Sequence, residues 1–308
     1  MHERFHILTS SSCNNNCIFC MEADANGARP VPVLASPERV RELLSSRAER
    51  DEVMFTYGEP TLSESLPSYL GWARDLGYRR IGVTTNARRL GYEPYAQRLI
   101  RAGMNHVVVS IHGPDARCHD GQTRCPGSFA QTLAGLEVLA QLKRQHPLSI
   151  HTSTVVCRRN FERLGELHDL LRRFGVDQCV LNVMQPLGRG ETFAGQLLVR
   201  YGDIVAELGR LLSAVGRPSP PVFLVDLPLC TTESLPGEIR GWVEFAVFTE
   251  YARDGQPQPR ATRLNKEEPN RTKREECRRC RYDDACLGVW RNYVRSFGWQ
   301  EFEPVLGG

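Results

Sequence analysis

Short runs of β-branched and apolar residues recur along the first 185 or so positions, and longer stretches with a helical apolar period alternate with them. The runs at 4–8 (RFHIL), 52–57 (EVMFTY), 80–85 (RIGVTT), 106–111 (HVVVSI), 149–156 (SIHTSTVV) and 178–184 (QCVLNVM) read as strands. Amphipathic segments near 63–75, 91–103, 128–145 and 160–174 read as helices between them. A further helix opens at Ser36, a hydroxyl residue suited to capping, with Pro37 at the first helical position. Gly175 stands where a helix C-terminal cap belongs.

Strand-then-helix units in series predict an α/β fold with a parallel sheet and helices outside it. Six such units are too few to close an eight-stranded barrel, so the expectation is a partial (β/α)6 TIM-like barrel. In such folds the chemistry collects at the C-terminal ends of the strands. The pattern changes near residue 216, where GRPSPP reads as a linker. The expected division is a barrel over residues 1–215 and a small irregular extension over 216–308. Residues 253–281 carry ten Lys/Arg against five Asp/Glu and almost no apolar side chains, so a solvated loop is expected there.

Composition narrows the class. The chain has 308 residues, 41% hydrophobic and 24% charged, enough for one large core. A net charge of +3 is too mild to imply nucleic acid or a membrane as partner. No apolar run suits a signal peptide or a membrane span, so a soluble, cytoplasmic protein is expected. The 11 cysteines are clustered, and in a reducing compartment such clusters indicate metal or redox chemistry.

Cys13, Cys17 and Cys20 lie in CNNNCIFC, just after the first predicted strand. Three thiolates this close can wrap one metal centre. Zinc would need a fourth ligand, and the nearest candidates, His2 and His6, fall on the far side of the strand. A four-iron cluster accepts three protein ligands and leaves one iron open. Three core cysteines are the plainer alternative. In CRRCRYDDAC, Cys277, Cys280 and Cys286 make half a zinc ribbon, and VDLPLC offers Cys230 as a fourth ligand.

The C-x3-C-x2-C spacing, with Phe19 before the third cysteine, resembles the signature of the radical S-adenosylmethionine (radical SAM) enzymes. TYGEP, with Gly58, Glu59 and Pro60, is similar to that family's Gly-Gly-Glu-Pro motif, Tyr57 replacing the first glycine. TTNARR resembles its Thr-Asn-Gly, with Asn86 kept and Ala87 in place of glycine, and Ser110 of VSIHG occupies the family's fourth-strand serine position. The resemblance covers roughly residues 4–185. It implies a [4Fe–4S] cluster on Cys13, Cys17 and Cys20 and S-adenosylmethionine held at Gly58, Glu59, Pro60, Asn86 and Ser110. The stretch from His119 to Phe129 resembles members with extra clusters, His119 itself reading as a structural hydrogen-bonder.

The ending Cys277, Cys280, Cys286, Gly288, Tyr293 is similar to the C-terminal SPASM or shorter twitch extension. With Cys230 it supplies four ligands, which implies one auxiliary [4Fe–4S] cluster that carries electrons or is purely structural. Cys157 and Cys179 are expected to be buried packing, and Cys118 and Cys125 to lie in a loop at the barrel mouth.

The resemblance implies reductive cleavage of S-adenosylmethionine to a 5′-deoxyadenosyl radical that abstracts hydrogen. The expected function is a radical SAM oxidoreductase acting on a peptide or protein side chain, served by an external flavodoxin- or ferredoxin-type electron donor. A small-molecule dehydrogenase or carbon–carbon bond former in cofactor or natural-product biosynthesis is the alternative. A zinc-stabilised RNA-binding protein using residues 253–281 is a more distant one. Only about 12 residues precede Cys13, so no N-terminal peptide-recognition domain is expected, which weighs against the peptide reading. No catalytic acid or base is legible; Asp226 has only its nearness to Cys230 to recommend it.

Overall fold

The computed structural model describes residues 4–28, 37–237, 239, 246–251, 257–262 and 270–307. The six expected strands form: β1 (Arg4–Leu8), β2 (Glu52–Thr56), β3 (Arg80–Thr85), β4 (His106–Ser110), β5 (Ser149–Val156) and β6 (Gln178–Val183). They pair in chain order, all parallel. Between them run α1 (Pro37–Ser46), α2 (Leu66–Asp75), α3 (Glu93–Ala102), α4 (Ala116–Thr123), α5 (Ser128–Lys143) and α6 (Leu164–Arg173). The cap expected of Ser36 lies outside the described residues. Gly175 follows α6 at φ +58°, the left-handed conformation that ends a helix cheaply when no Cβ is present.

Strand alternation divides the side chains between two faces. Phe5, Val53 and Ile81 stand in register on β1, β2 and β3, and all three belong to the apolar core that includes Leu44, Leu70 and Leu99 of the helices. The opposite row, His6, Met54, Gly82 and His106, fills the concave side. A methyl on Gly82 would fall on the Met54 sulfur and displace that side chain, so this row is filled around the glycine. The N-terminal end of this interior is closed by a buried ion pair, Arg4 Nε to Glu52 Oε1 at 2.8 Å.

The sheet continues beyond the six strands. After α7 (Arg189–Thr192), α8 (Ala194–Leu197) and α9 (Tyr201–Val215), β7 (Val222–Val225) adds to β6 in parallel, in a stretch expected to be irregular. Four residues are too few for a period to show in sequence. At the other edge, β8 (Ala246–Tyr251) pairs parallel with β1, and β9 (Pro257–Thr262) pairs antiparallel with β8. The order β7-β6-β5-β4-β3-β2-β1-β8-β9 makes nine strands in one sheet. Residues 257–262 are therefore a strand, where a solvated loop was expected. Pro257 and Pro259 would interrupt an inner strand, but β9 is an edge, where a missing N–H costs nothing.

The last described segment holds the small pair β10 (Arg271–Thr272) and β11 (Val289–Trp290), then α10 (Arg291–Phe297). Tyr293 fastens it to the barrel. Its ring stacks on Tyr201 with centroids 3.8 Å apart, and its hydroxyl accepts from the Tyr201 backbone N–H at 2.8 Å. No described helix is long and apolar enough to cross a membrane.

Candidate functional site

At the C-terminal ends of the strands a cavity of ≈ 320 Å³ opens. Cys13, Cys17 and Cys20 line it, and so do Gly58, Glu59, Asn86 and Ser110 from the ends of β2, β3 and β4. The sequence-predicted residues thus meet at one cavity, except Pro60, which is buried at the start of a 3-10 turn and does not line it. The same lining adds residues that the sequence did not single out: His112 after β4, Ser153 and Val155 on β5, Asn182 on β6, and Gln185, with Ser153 standing in register beside Ser110. Asn182 donates to the Ser153 hydroxyl at 2.9 Å, which fixes both side chains. Burial holds the His112 imidazole well below its usual pKa, with repulsion from His119 adding to it.

The cysteine loop is clasped from two sides, and its three asparagines are what is clasped. Asn14 Oδ1 accepts from Asn86 Nδ2 at 2.6 Å, Asn15 Oδ1 accepts from Arg88 Nη1 at 2.8 Å, and Asn16 Oδ1 accepts from Arg189 Nη1. Arg88 also donates to the Asn14 carbonyl. The backbone N–H groups of Asn16 and Ile18 donate to Thr123 and Gln122 carbonyls at 2.9 Å each, tying the loop to the end of α4. The spacer between Cys13 and Cys17 is therefore structural grip, not filler.

Glu59 is buried, and its carboxylate is engaged internally. Oε1 accepts from the Thr61 N–H at 3.1 Å and from the Thr61 and Thr85 hydroxyls at 2.6 Å each; Oε2 accepts from the Asn86 N–H at 2.7 Å. Burial raises its pKa, and these four hydrogen bonds pull the other way. Two departures from the family's glycines have a structural account. Tyr57 lies at φ +74° and Ala87 at φ +60°, so both keep the left-handed backbone a glycine would adopt, at a strain of about 1–2 kcal/mol each. Gly58, at φ +58°, could not be replaced so: a Cβ there would enter the carbonyl oxygens of Ser10 and Ser12.

Cys230, Cys277, Cys280 and Cys286 all line a second, enclosed cavity of ≈ 20 Å³ with Thr272, Gly288 and Phe302. Burial pushes the Cys230 thiol up to about 12, with the neighbouring Cys286, Cys280 and Cys277 adding repulsion. The structure thus brings these four distant cysteines together. Asp226 lies between the two cavities. It accepts from Gln185 Nε2 of the first and from Arg271 Nη2 at 2.6 Å, and Arg271 lies over the Trp290 ring beside the second. Asp226 is thereby held in a buried ion pair and lines neither cavity.

The remaining cysteines divide. Cys157 and Cys179 are buried, as expected, and burial raises their thiols to about 12 and about 11. Cys118 was expected in a loop at the mouth; it sits on α4, and neither it nor Cys125 lines the first cavity. The Cys125 sulfur instead contacts the Asn14 carbonyl and the Arg88 guanidinium. His119 is fully buried and accepts from the His112 N–H at 3.1 Å, a structural role as read from sequence.

The donor sets suit iron–sulfur groups. Three soft thiols line the larger cavity and four more line the smaller one, and thiolates are the ligands that iron–sulfur clusters take. Among the described residues no three His, Cys, Asp or Glu side chains converge tightly enough to hold a single metal ion.

Comparison with known proteins bears on this arrangement. The family described as Radical SAM superfamily matches residues 7–182. An AdoMet-dependent heme synthase of Methanosarcina barkeri is 29% identical over 184 residues, covering 59% of this chain and 50% of the relative. A probable GTP 3′,8-cyclase of Saccharolobus solfataricus is 27% identical over 195 residues, covering 61% of this chain and 59% of the relative. The chain thus spans about half the length of the curated relatives it matches. In fold, Streptococcus suis SuiB bound to its precursor peptide SuiA superposes over 98% of this chain and 74% of SuiB, with a TM-score of 0.67 and 14% identity. The anSMEcpe structure with bound AdoMet and Cp18Cys peptide covers 98% of this chain and 97% of its own, with a TM-score of 0.64 and 16% identity.

Proposed function

The chain belongs to the radical SAM superfamily, and from that premise we propose that Cys13, Cys17 and Cys20 hold a [4Fe–4S] cluster, with S-adenosylmethionine bound beside it at Gly58, Glu59, Asn86 and Ser110. The convergence of these seven residues on one cavity, from four separate stretches of chain, carries this reading. When bound and reduced, the cluster supplies the electron that cleaves S-adenosylmethionine to a 5′-deoxyadenosyl radical, which abstracts hydrogen from a substrate.

The chain's own residues orient and shield. The left-handed turn at Tyr57–Gly58 leaves backbone groups to meet the methionine ammonium, because the Glu59 carboxylate is largely committed to Thr61, Thr85 and Asn86. Pro60 acts from behind, by starting the turn that holds Glu59. Ser153 and Asn182 present a fixed polar edge to the cavity, next to Ser110. Phe19, packed edge-on against His112 at 4.6 Å, keeps the base of the cysteine loop dry.

The substrate reading is oxidative modification of a peptide or protein side chain, with Cys230, Cys277, Cys280 and Cys286 holding an auxiliary cluster of SPASM or twitch type. That cluster would accept the second electron the substrate loses, the first leaving with the abstracted hydrogen atom, and a flavodoxin- or ferredoxin-type protein would supply the separate electron that reduces the three-cysteine cluster. Two observations support it: the four-cysteine cavity lies one polar bridge away from the first, and the whole described fold follows two peptide-bound structures. A small-molecule substrate is the second reading, favoured by the sequence relatives named for heme synthesis and GTP cyclisation.

The test is anaerobic reconstitution with iron and sulfide, followed by reaction with dithionite and S-adenosylmethionine. The wild type should form 5′-deoxyadenosine and the Cys13→Ala, Cys17→Ala, Cys20→Ala triple variant should not. Equal turnover by both would refute the assignment. Product formed from candidate peptides, against product formed only from free metabolites, separates the two substrate readings.

A further inference from the structure

Arg189 is among the largest fully buried side chains of the molecule, 1% exposed, and it follows β6 in a Gly-Arg-Gly turn that the sequence reading passed over. Every part of that turn meets the cysteine loop. The guanidinium donates through Nη1 to the Asn16 carbonyl at 3.0 Å, to the Cys17 carbonyl at 3.2 Å and to Asn16 Oδ1. Its backbone N–H is shared between the carbonyls of Cys20 at 3.0 Å and Ala23 at 2.7 Å. Gly188 lies at φ +55°, and a Cβ there would strike the Met21 carbonyl; a Cβ on Gly27 would occupy the place of Arg189 Nη2. Two glycines are thus required for this one side chain to be seated.

The electrostatics are unusual. Buried charges are paired, because removing an ion from water costs several kcal/mol that only a countercharge returns. The partners of this guanidinium are uncharged carbonyl and amide oxygens, and no carboxylate pairs with it among the described residues. Its Nε is buried with no hydrogen-bond partner. Yet it touches the backbone of one cysteine of the trio and, through its own N–H, of another.

We propose that Arg189 is the fixed counter-cation and positioning residue of the three-cysteine centre. This rests on the reading that Cys13, Cys17 and Cys20 hold an iron–sulfur cluster. Three thiolates leave such a cluster anionic, and more so when reduced, so a buried cation one residue away favours the reduced form and raises the reduction potential. The donated hydrogen bonds hold the Cys17 and Cys20 carbonyls so that their thiols face the cavity together.

The experiment is redox potentiometry, followed by electron paramagnetic resonance, on reconstituted wild type, Arg189→Met and Arg189→Lys, with iron content measured on each sample. To isolate the signal, all three carry Cys277→Ala and Cys280→Ala. Arg189→Met should shift the midpoint at least 59 mV lower, a tenfold change in the reduced-to-oxidised ratio for one electron. Arg189→Lys should stay near the wild type. An unchanged midpoint in a fully loaded Arg189→Met protein overturns the proposal. If Arg189→Met takes up no iron, Arg189→Lys decides: full iron at the wild-type potential supports a charge role, and loss of iron there as well overturns it. A parent protein that itself binds no cluster would instead refute the proposed function.

Discussion

The backbone N–H of Asn86, just past the end of β3, donates to Glu59 Oε2 at 2.7 Å, and Glu59 itself follows β2. One buried carboxylate therefore joins two adjacent strand ends on the cavity wall, and Asn86 passes the restraint on to Asn14 beside Cys13. Replacing Glu59 by alanine leaves Thr61, Thr85 and Asn86 donors without their acceptor. A loss of about 2–4 kcal/mol is expected in urea unfolding, since an unsatisfied buried donor costs ~1–3 kcal/mol and water from the adjoining cavity can satisfy part of the four. Glu59→Gln, which keeps shape and one acceptor oxygen, should lose less.

Gly58→Ala tests the tightness of the turn. Its Cβ would meet two carbonyl oxygens at a backbone conformation already adverse to side chains. The variant should lose more than ~2 kcal/mol, strain and clash together. S-adenosylmethionine affinity, followed by equilibrium dialysis on the reconstituted protein, should fall at least tenfold.

Acid should destabilise the protein through histidines held neutral on the concave side. Burial lowers His6 to about 3, His106 to about 2 and His151 to about 4; Arg4 is a further cause in all three, and Arg80 in His106 and His151. A folded-state pKa below the unfolded value means that the unfolded chain binds protons first. The stability is thus complete above about pH 6.5 and falls as pH drops toward the folded values, by about 1.4 kcal/mol per pH unit for each histidine. Denaturant midpoints at pH 7.5, 6.5 and 5.5 should show this, and His106→Asn should flatten the slope.

The Asp226–Arg271 pair, with both side chains under 10% exposed, ties the C-terminal segment to the barrel. Asp226→Ala leaves a buried guanidinium unpaired and should cost about 3–5 kcal/mol. Calorimetry is the readout; a change under 1 kcal/mol would mean that water reaches the site.

Iron counting separates the two cysteine groups. The wild type should bind about eight irons per chain, four at each centre. Cys277→Ala with Cys280→Ala should bring this to about four and keep S-adenosylmethionine cleavage, measured as 5′-deoxyadenosine. Loss of cleavage as well would show that the second centre feeds the first.

Much of this was readable before folding. Six strands, their order and most of their helices follow from period-two and period-3.6 patterns, which depend only on nearest neighbours along the chain. The cysteine trio and the TYGEP and TTNARR turns were legible because the residues of each motif lie close together in sequence. β7 was not, being only four residues long, and the strand at 257–262 was hidden by its prolines and charges.

The sequence by itself determined the alternation of elements, the family and which short motifs stand at the strand ends. Only the tertiary structure decided that Cys230 joins cysteines nearly fifty residues away, that Glu59 is spent on its neighbours, and that Arg189 reaches back across more than 170 residues to the asparagine loop. The physical reason is the same in each case. A period reports what one segment presents to its surroundings, while a buried charge or a gathered set of thiols is defined by which other segments surround it.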